Sequence, residues 1–239
     1  MIHAIRELNF GSETRIMKQA AGLIFRIALF VLIVVLWLWV YYQQFSGLIS
    51  FFIVVGCIIL AFPVVWAGRI LLDKQPTPSR AAGTSLFVHY ALLMLLGAAI
   101  VEAAKTHQAW YGWTIPVPVE IGYWLVIVTS LATLLTVVNL ALKGLGAPFA
   151  VALSRKLAVD WMYAWTRNPM VLGTLACLLA LGVWFQSALF VLWVLLLVTP
   201  AWLAFVKFYE ESELEIRFGA SYLEYRAKTP MLFPRRPKA

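Results

Sequence analysis

Charge is what this sequence has least of. Only 13% of its 239 residues are charged, about half the share usual in a soluble domain. By contrast 63% are hydrophobic, and the mean hydropathy is +0.86. A water-soluble globule of this size must clothe itself in polar groups, so the composition excludes one. It excludes a disordered chain for the same reason. Cysteine is scarce as well. Cys57 and Cys177 each lie inside an apolar run, which excludes a disulfide scaffold. Alternating strands of about ten residues, the mark of a membrane β-barrel, are missing too. Long unbroken apolar runs stand in their place, so the chain reads as an all-α integral membrane protein.

No charge occurs between Arg26 and Arg69, a run long enough for two spans of ~20 residues each, with a break at Gln43-Gln44-Phe45-Ser46-Gly47. Two further runs cover 81–101 and 121–142. The charge-free stretch 168–206 divides at Phe185-Gln186-Ser187 into a helical hairpin. The spacing predicts six spans, about 22–42, 47–68, 84–104, 120–142, 168–185 and 187–207. All but one of the 19 lysines and arginines then fall in the N-terminal segment, the second-to-third loop, the fourth-to-fifth loop and the tail, with Lys105 alone on the other side. By the positive-inside rule both termini are cytoplasmic, and a bacterial inner membrane is expected. The net charge of +8 therefore reflects topology and contact with anionic membrane lipids rather than nucleic-acid binding. The first 18 residues are expected to form a short amphipathic surface helix. The first apolar run is too long for a cleavable signal sequence.

Residues 1–142, the N-terminal segment and four spans, hold little chemistry. His89 is a lone imidazole within a span and is expected to bond between helices. Glu102, Lys105 and His107 lie at a span end and are expected to be solvated. Thr129, Ser130, Thr133, Thr136 and Asn139 are further candidates for interhelical bonds. No His, Cys, Asp or Glu cluster has metal-ligand spacing.

Residues 143–239 hold the reactive groups. In Tyr163-Ala164-Trp165-Thr166-Arg167-Asn168-Pro169, Asn168 is placed to cap a helix whose first residue is Pro169, where the missing N–H has no consequence. The free N–H groups of that turn, beside Arg167, suit an anion such as a carboxylate. The tail carries Glu210, Glu211, Glu213 and Glu215 close to an anionic surface. That cluster is unfavourable unless cations meet it, and Arg167, Lys156, Lys207 or a cationic ligand are candidates. Aromatic residues Tyr163, Trp165 and Tyr222 add planar faces. Together these groups are compatible with S-adenosylmethionine, without identifying it.

At these two segments the chain resembles the isoprenylcysteine carboxyl methyltransferase and phospholipid methyltransferase family, in the manner of its bacterial members. The resemblance rests on Leu157-Ala158, Tyr163, Arg167-Asn168-Pro169-Met170-Val171-Leu172-Gly173, Glu210-Glu211, Leu214, Phe218-Gly219, Tyr222, Tyr225 and Pro230, in that order, with Gly144-Leu145-Gly146-Ala147-Pro148 upstream. It covers about residues 143–234. It implies a methyltransferase using S-adenosyl-L-methionine on a lipophilic membrane acceptor that carries a carboxylate, thiol or amine. The implied cofactor contacts are Lys156, Leu157, Ala158, Tyr163, Asn168, Pro169, Met170, Val171, Glu210 and Tyr222. Arg167 would orient an anion, and Glu211 could accept a proton from an amine acceptor. Three departures stand out. Trp161-Met162 replaces the usual Gly-Pro, Val171 replaces the usual tyrosine, and Val206 stands where the prenylcysteine enzymes keep an arginine. They leave room for a non-catalytic protein on the same scaffold. A transporter or a nicotinamide-dependent sterol reductase-like enzyme are more distant alternatives.

Overall fold

The computed structural model describes residues 2–110, 112–142 and 156–237; of residues 2–16, 18 and 19 it describes the backbone only. Lys143, Arg155 and the Gly144–Pro148 approach lie outside the described residues. Helices make up the described structure, with no strand among the described residues. They are α1 (Ile2–Tyr42), α2 (Gly47–Lys74), α3 (Pro78–Thr106), α4 (Val119–Leu142), α5 (Met162–Trp165), α6 (Pro169–Trp184), α7 (Ala188–Phe218) and α8 (Ala220–Lys228). The backbone of α1 is helical throughout, so the N-terminal segment continues the first span instead of forming a separate surface helix.

Among the described residues five helices are long and apolar enough to cross a membrane, and the chain is a multi-pass membrane protein. The remaining expected span, the fifth, is α6, which has 16 residues, about 24 Å of helix against a ~30 Å hydrocarbon core. Its capped start at Asn168 and the tight turn after Trp184, where Gln186 adopts φ 53°, set that length. Even so, α6 runs from end to end of the bundle. Its first residues meet the tail. At its last turn a Cβ on Gly122 of α4 would come within 2.4 Å of the Trp184 backbone.

The loops sort to two ends. At the far end, Gln186 accepts from the Ile115 N–H and donates through Nε2 to Val117 O, and His107 stacks on Phe185 with centroids 4.0 Å apart. Lys105 donates to the carbonyls of Val40 and Gln43 at 3.0 and 2.9 Å. The expectation of solvated groups here is corrected: Glu102 is only 1% exposed, beside Lys105, which is itself tied to the end of α1. At the tail end, Arg69 of α2 donates to Ser212 Oγ and to Phe208 O of α7.

The core is built by α2, α3, α6 and α7, through Val65, Leu72, Val88, Leu96, Leu175, Phe190 and Val198. Helix α1 packs on α3 by Ile33 against Tyr90 and Leu93. Most of the expected interhelical bonds turn inward instead. His89 Nδ1 bonds Ser85 one turn back in its own helix, and Thr129, Thr133 and Thr136 each donate to a carbonyl four residues back. Among those residues Ser130 does cross, to Cys177 Sγ at 3.3 Å. Within α7, Pro200 has no N–H to give, and the preceding turn widens into a π-helix, with the Thr199 N–H reaching Val194 O. A second π-turn covers Phe205–Glu210, where the Glu211 N–H reaches Val206 O.

Candidate functional site

Helix α6 starts where the Asn-Pro pair places it, with Asn168 as the cap and Pro169 first. The cap works differently from expectation. The Asn168 side chain turns away from the helix and its Nδ2 donates to Met231 O at 2.9 Å. The N–H groups of Met170 and Val171 are thus left without their usual side-chain acceptor.

The segment before α6 is bound to the chain that follows α7. Arg167 is the centre of this arrangement. Its Nη1 donates to the carbonyls of Arg226 and Thr229, at 2.8 and 3.0 Å, and its backbone N–H donates to Pro230 O at 2.9 Å. Its Nη2 meets Glu211 Oε1, both side chains being under 10% exposed. Lys207 holds the other oxygen of Glu211 at 3.1 Å. Thr166 Oγ1 donates to Met231 O at 3.1 Å, and the Tyr225 hydroxyl donates to Tyr163 O at 2.7 Å. The charges of Arg167 and Glu211 are therefore already matched, to each other and to fixed neighbours.

Glu210 differs from them. It is half-buried, and its Oε2 is fully buried with no hydrogen-bond partner. Around it lie Tyr163 and Tyr222. Burial pushes the Tyr163 hydroxyl well above the usual range, and the Glu210 carboxylate raises it further. Burial and then Glu211 do the same to Tyr222, against the opposing pull of Arg167. Both phenols stay protonated and available as donors. The structure thus brings Tyr163, Arg167, Asn168, Pro169, Met170, Glu210, Glu211 and Tyr222 to one end of the bundle. Val171 packs in the core. Lys156 is exposed and Leu157 and Ala158 are half-buried on the chain leading into α5. The site reading missed Tyr225, Thr166 and the 226–231 carbonyls. Tyr225 stood in the motif, but backbone acceptors have no sequence signature.

Trp161 occupies a backbone conformation, φ 53° and ψ −123°, that glycine adopts far more readily. This is the position at which the resemblance has glycine. Trp161 is 46% exposed, so its ring returns little packing for the strain. Trp161→Gly is expected to stabilise the protein by about 1 kcal/mol, read as an upward shift of about 2–4 °C in the unfolding midpoint in detergent.

Beside the site, α4, α5 and α6 line a half-open, almost wholly apolar cleft of about 380 Å³. Thr166, Pro169 and Met162 line its end nearest the site, and Thr129, Ala132 and Ala176 line it deeper in the bundle.

Residues 117–221 match the family model described as phospholipid methyltransferase, just under half of the chain. The match takes in α4, α5, α6 and α7 and ends one residue before Tyr222. No curated protein and no solved structure matches significantly. Over residues 117–221 the chain is similar to the phospholipid methyltransferase family, which includes the isoprenylcysteine carboxyl methyltransferases.

Proposed function

We propose that this protein transfers the methyl group of S-adenosylmethionine to a lipophilic acceptor resident in the membrane. The observation that carries the reading is the buried, unpartnered oxygen of Glu210, lying within a segment that matches a methyltransferase family. A carboxylate oxygen in that state is unfavourable by about 1–3 kcal/mol or more unless a donor or cation meets it. The ammonium or ribose hydroxyls of the cofactor would do so.

The other residues fit the same guest. The α6 N–H groups of Met170 and Val171 suit its α-carboxylate. The phenols of Tyr163 and Tyr222 are neutral donors, and Lys156, Leu157, Ala158, Asn168 and Pro169 flank the approach. When bound, S-adenosylmethionine supplies an electrophilic sulfonium methyl group.

The chain's own contribution is alignment and exclusion of water, worth up to about 7–11 kcal/mol when a near-attack geometry is held. Arg167 and Glu211 act as positioning residues, since Glu211 is held by Arg167 and Lys207, and both Nη groups of Arg167 are engaged, leaving only its Nε without a partner. A carboxylate or thiolate acceptor needs no base. An amine acceptor must lose a proton; Glu211 is held by Arg167 and Lys207 and Glu210 is taken by the cofactor, which leaves water as the recipient. The apolar cleft between α4 and α6 supports entry of the acceptor from the bilayer. The basic loops support a cytoplasmic tail end.

The direct test is incubation of the purified protein and native lipid extract with isotope-labelled methyl donor, followed by mass spectrometry of the lipids. Label is expected in the lipid fraction. Glu210→Ala should bind the donor about 100-fold more weakly by calorimetry while keeping its unfolding midpoint. Unchanged affinity in that variant would remove Glu210 from the assignment.

A further inference from the structure

Helices α2 and α3 lie outside the family-matched segment, yet they grip the turn that carries Glu210. The ring of Tyr209 is fully buried. It lies against Gly68 of α2, where a Cβ would fall 3.0 Å from two of its ring carbons and 2.4 Å from Val88 Cγ2 of α3. His89 packs edge-on against Phe205, one turn earlier, with centroids 5.1 Å apart. On the same side Arg69 holds Ser212 and Phe208 O. Neighbouring residues on a helix point about 100° apart, so a fixed Tyr209 ring fixes the direction of Glu210. The π-turn Phe205–Glu210 replaces i→i+4 bonding by i→i+5 bonding in this stretch, a rare local departure from the α-helix that is frequent at functional sites.

We infer that Gly68 is a positioning residue for Glu210: its lack of a side chain leaves a socket for the Tyr209 ring beside Val88, and the π-turn passes that placement to the next residue. The inference rests on the reading of Glu210 as a cofactor contact. It adds that the half of the chain without a family match helps to build the site. Any Cβ at position 68 must displace Val88 or Tyr209, because contacts of 2.4 and 3.0 Å are closer than carbon atoms approach without strain.

Two measurements test this in full-length protein. The first is donor affinity by calorimetry. Gly68→Ala should weaken binding about 10-fold, and Gly68→Ala with Val88→Ala should recover most of that loss, because the closest clash is removed. Gly97→Ala is the control. Its Cβ would meet Trp37 at 2.1 Å, a comparable crowding far from the π-turn, so it should lower the unfolding midpoint and leave affinity unchanged. The second measurement needs no ligand. In a chain with Cys57 and Cys177 replaced by serine, Tyr163→Cys and Glu210→Cys are cross-linked by a short bifunctional reagent. The rate should fall about 10-fold on adding Gly68→Ala and recover with Val88→Ala. Unchanged cross-linking in the Gly68→Ala chain would overturn the inference, as would a loss of affinity that Val88→Ala does not restore. If the unmodified chain binds no donor while the cross-linking pattern holds, the cofactor reading fails and the socket stands.

Discussion

Arg167→Ala is expected to destabilise the protein by about 3–5 kcal/mol, the largest effect of any single side chain at the tail end. The magnitude follows from breaking a buried ion pair by removing one partner. Glu211 would keep only Lys207, a largely exposed ammonium at 3.1 Å. The carbonyls of Arg226 and Thr229 would lose their donor, and the bonds of Thr166, Asn168 and the backbone N–H of residue 167 to residues 230 and 231 would remain as the tie between the segment before α6 and the chain after α7. Arg167→Lys should recover only part of the loss, since an ammonium cannot serve two carbonyls and a carboxylate in one plane. Replacing both Arg167 and Glu211 by methionine and leucine should return much of the stability, because an apolar pair leaves no buried charge. A cycle of the parent chain, Arg167→Met, Glu211→Leu and the double variant, followed by thermal unfolding in detergent, gives the coupling energy. A stable Arg167→Ala chain that lacks only methyl transfer would instead make Arg167 a ligand contact, the role that the sequence alone suggested.

That contrast shows what the sequence could and could not carry. The start of α6 was legible because proline constrains its own φ and lacks an N–H, so Asn168-Pro169 admits few local structures. The two ends of the bundle were legible because unbroken apolar runs have a minimum length. The partners of Arg167 were not legible, because two of them are backbone carbonyls some sixty residues away in the chain. The role of Asn168 was half legible: position gave the cap, but Met231 O took the side chain. His89 and the α4 threonines were expected to reach across helices, and a carbonyl one turn back in the same helix offered a nearer acceptor. The π-turn behind Glu210 has no residue pattern of its own. A tightly packed glycine at position 68 could have hinted at the socket only once its neighbours were known. Glu102 was misplaced for the same reason, since burial at a span end depends on neighbours distant in the chain, here the end of α1 that Lys105 binds.

The misplaced pair at the far end gives the second large effect. Lys105→Ala is expected to cost about 3 kcal/mol. Lys105 Nζ lies 2.5 Å from Glu102 Oε2, a close charge contact rather than an aligned hydrogen bond. It donates to Val40 O and Gln43 O, which close the end of α1, and lies 5.0 Å from the centre of the Phe45 ring. Without it the Glu102 carboxylate is left buried beside an apolar core, and two carbonyls lose their donor. Glu102→Gln should soften the penalty when combined with Lys105→Ala, because a neutral amide tolerates burial better than an unpaired charge. A midpoint unchanged in Lys105→Ala would show that Glu102 finds another partner. The two ion pairs predict different symptoms. Arg167 stands beside the proposed cofactor site, so its loss should lower both stability and donor affinity. Lys105 lies at the opposite end of the bundle from Glu210, so its loss should lower stability while the affinity of the folded fraction stays as it was.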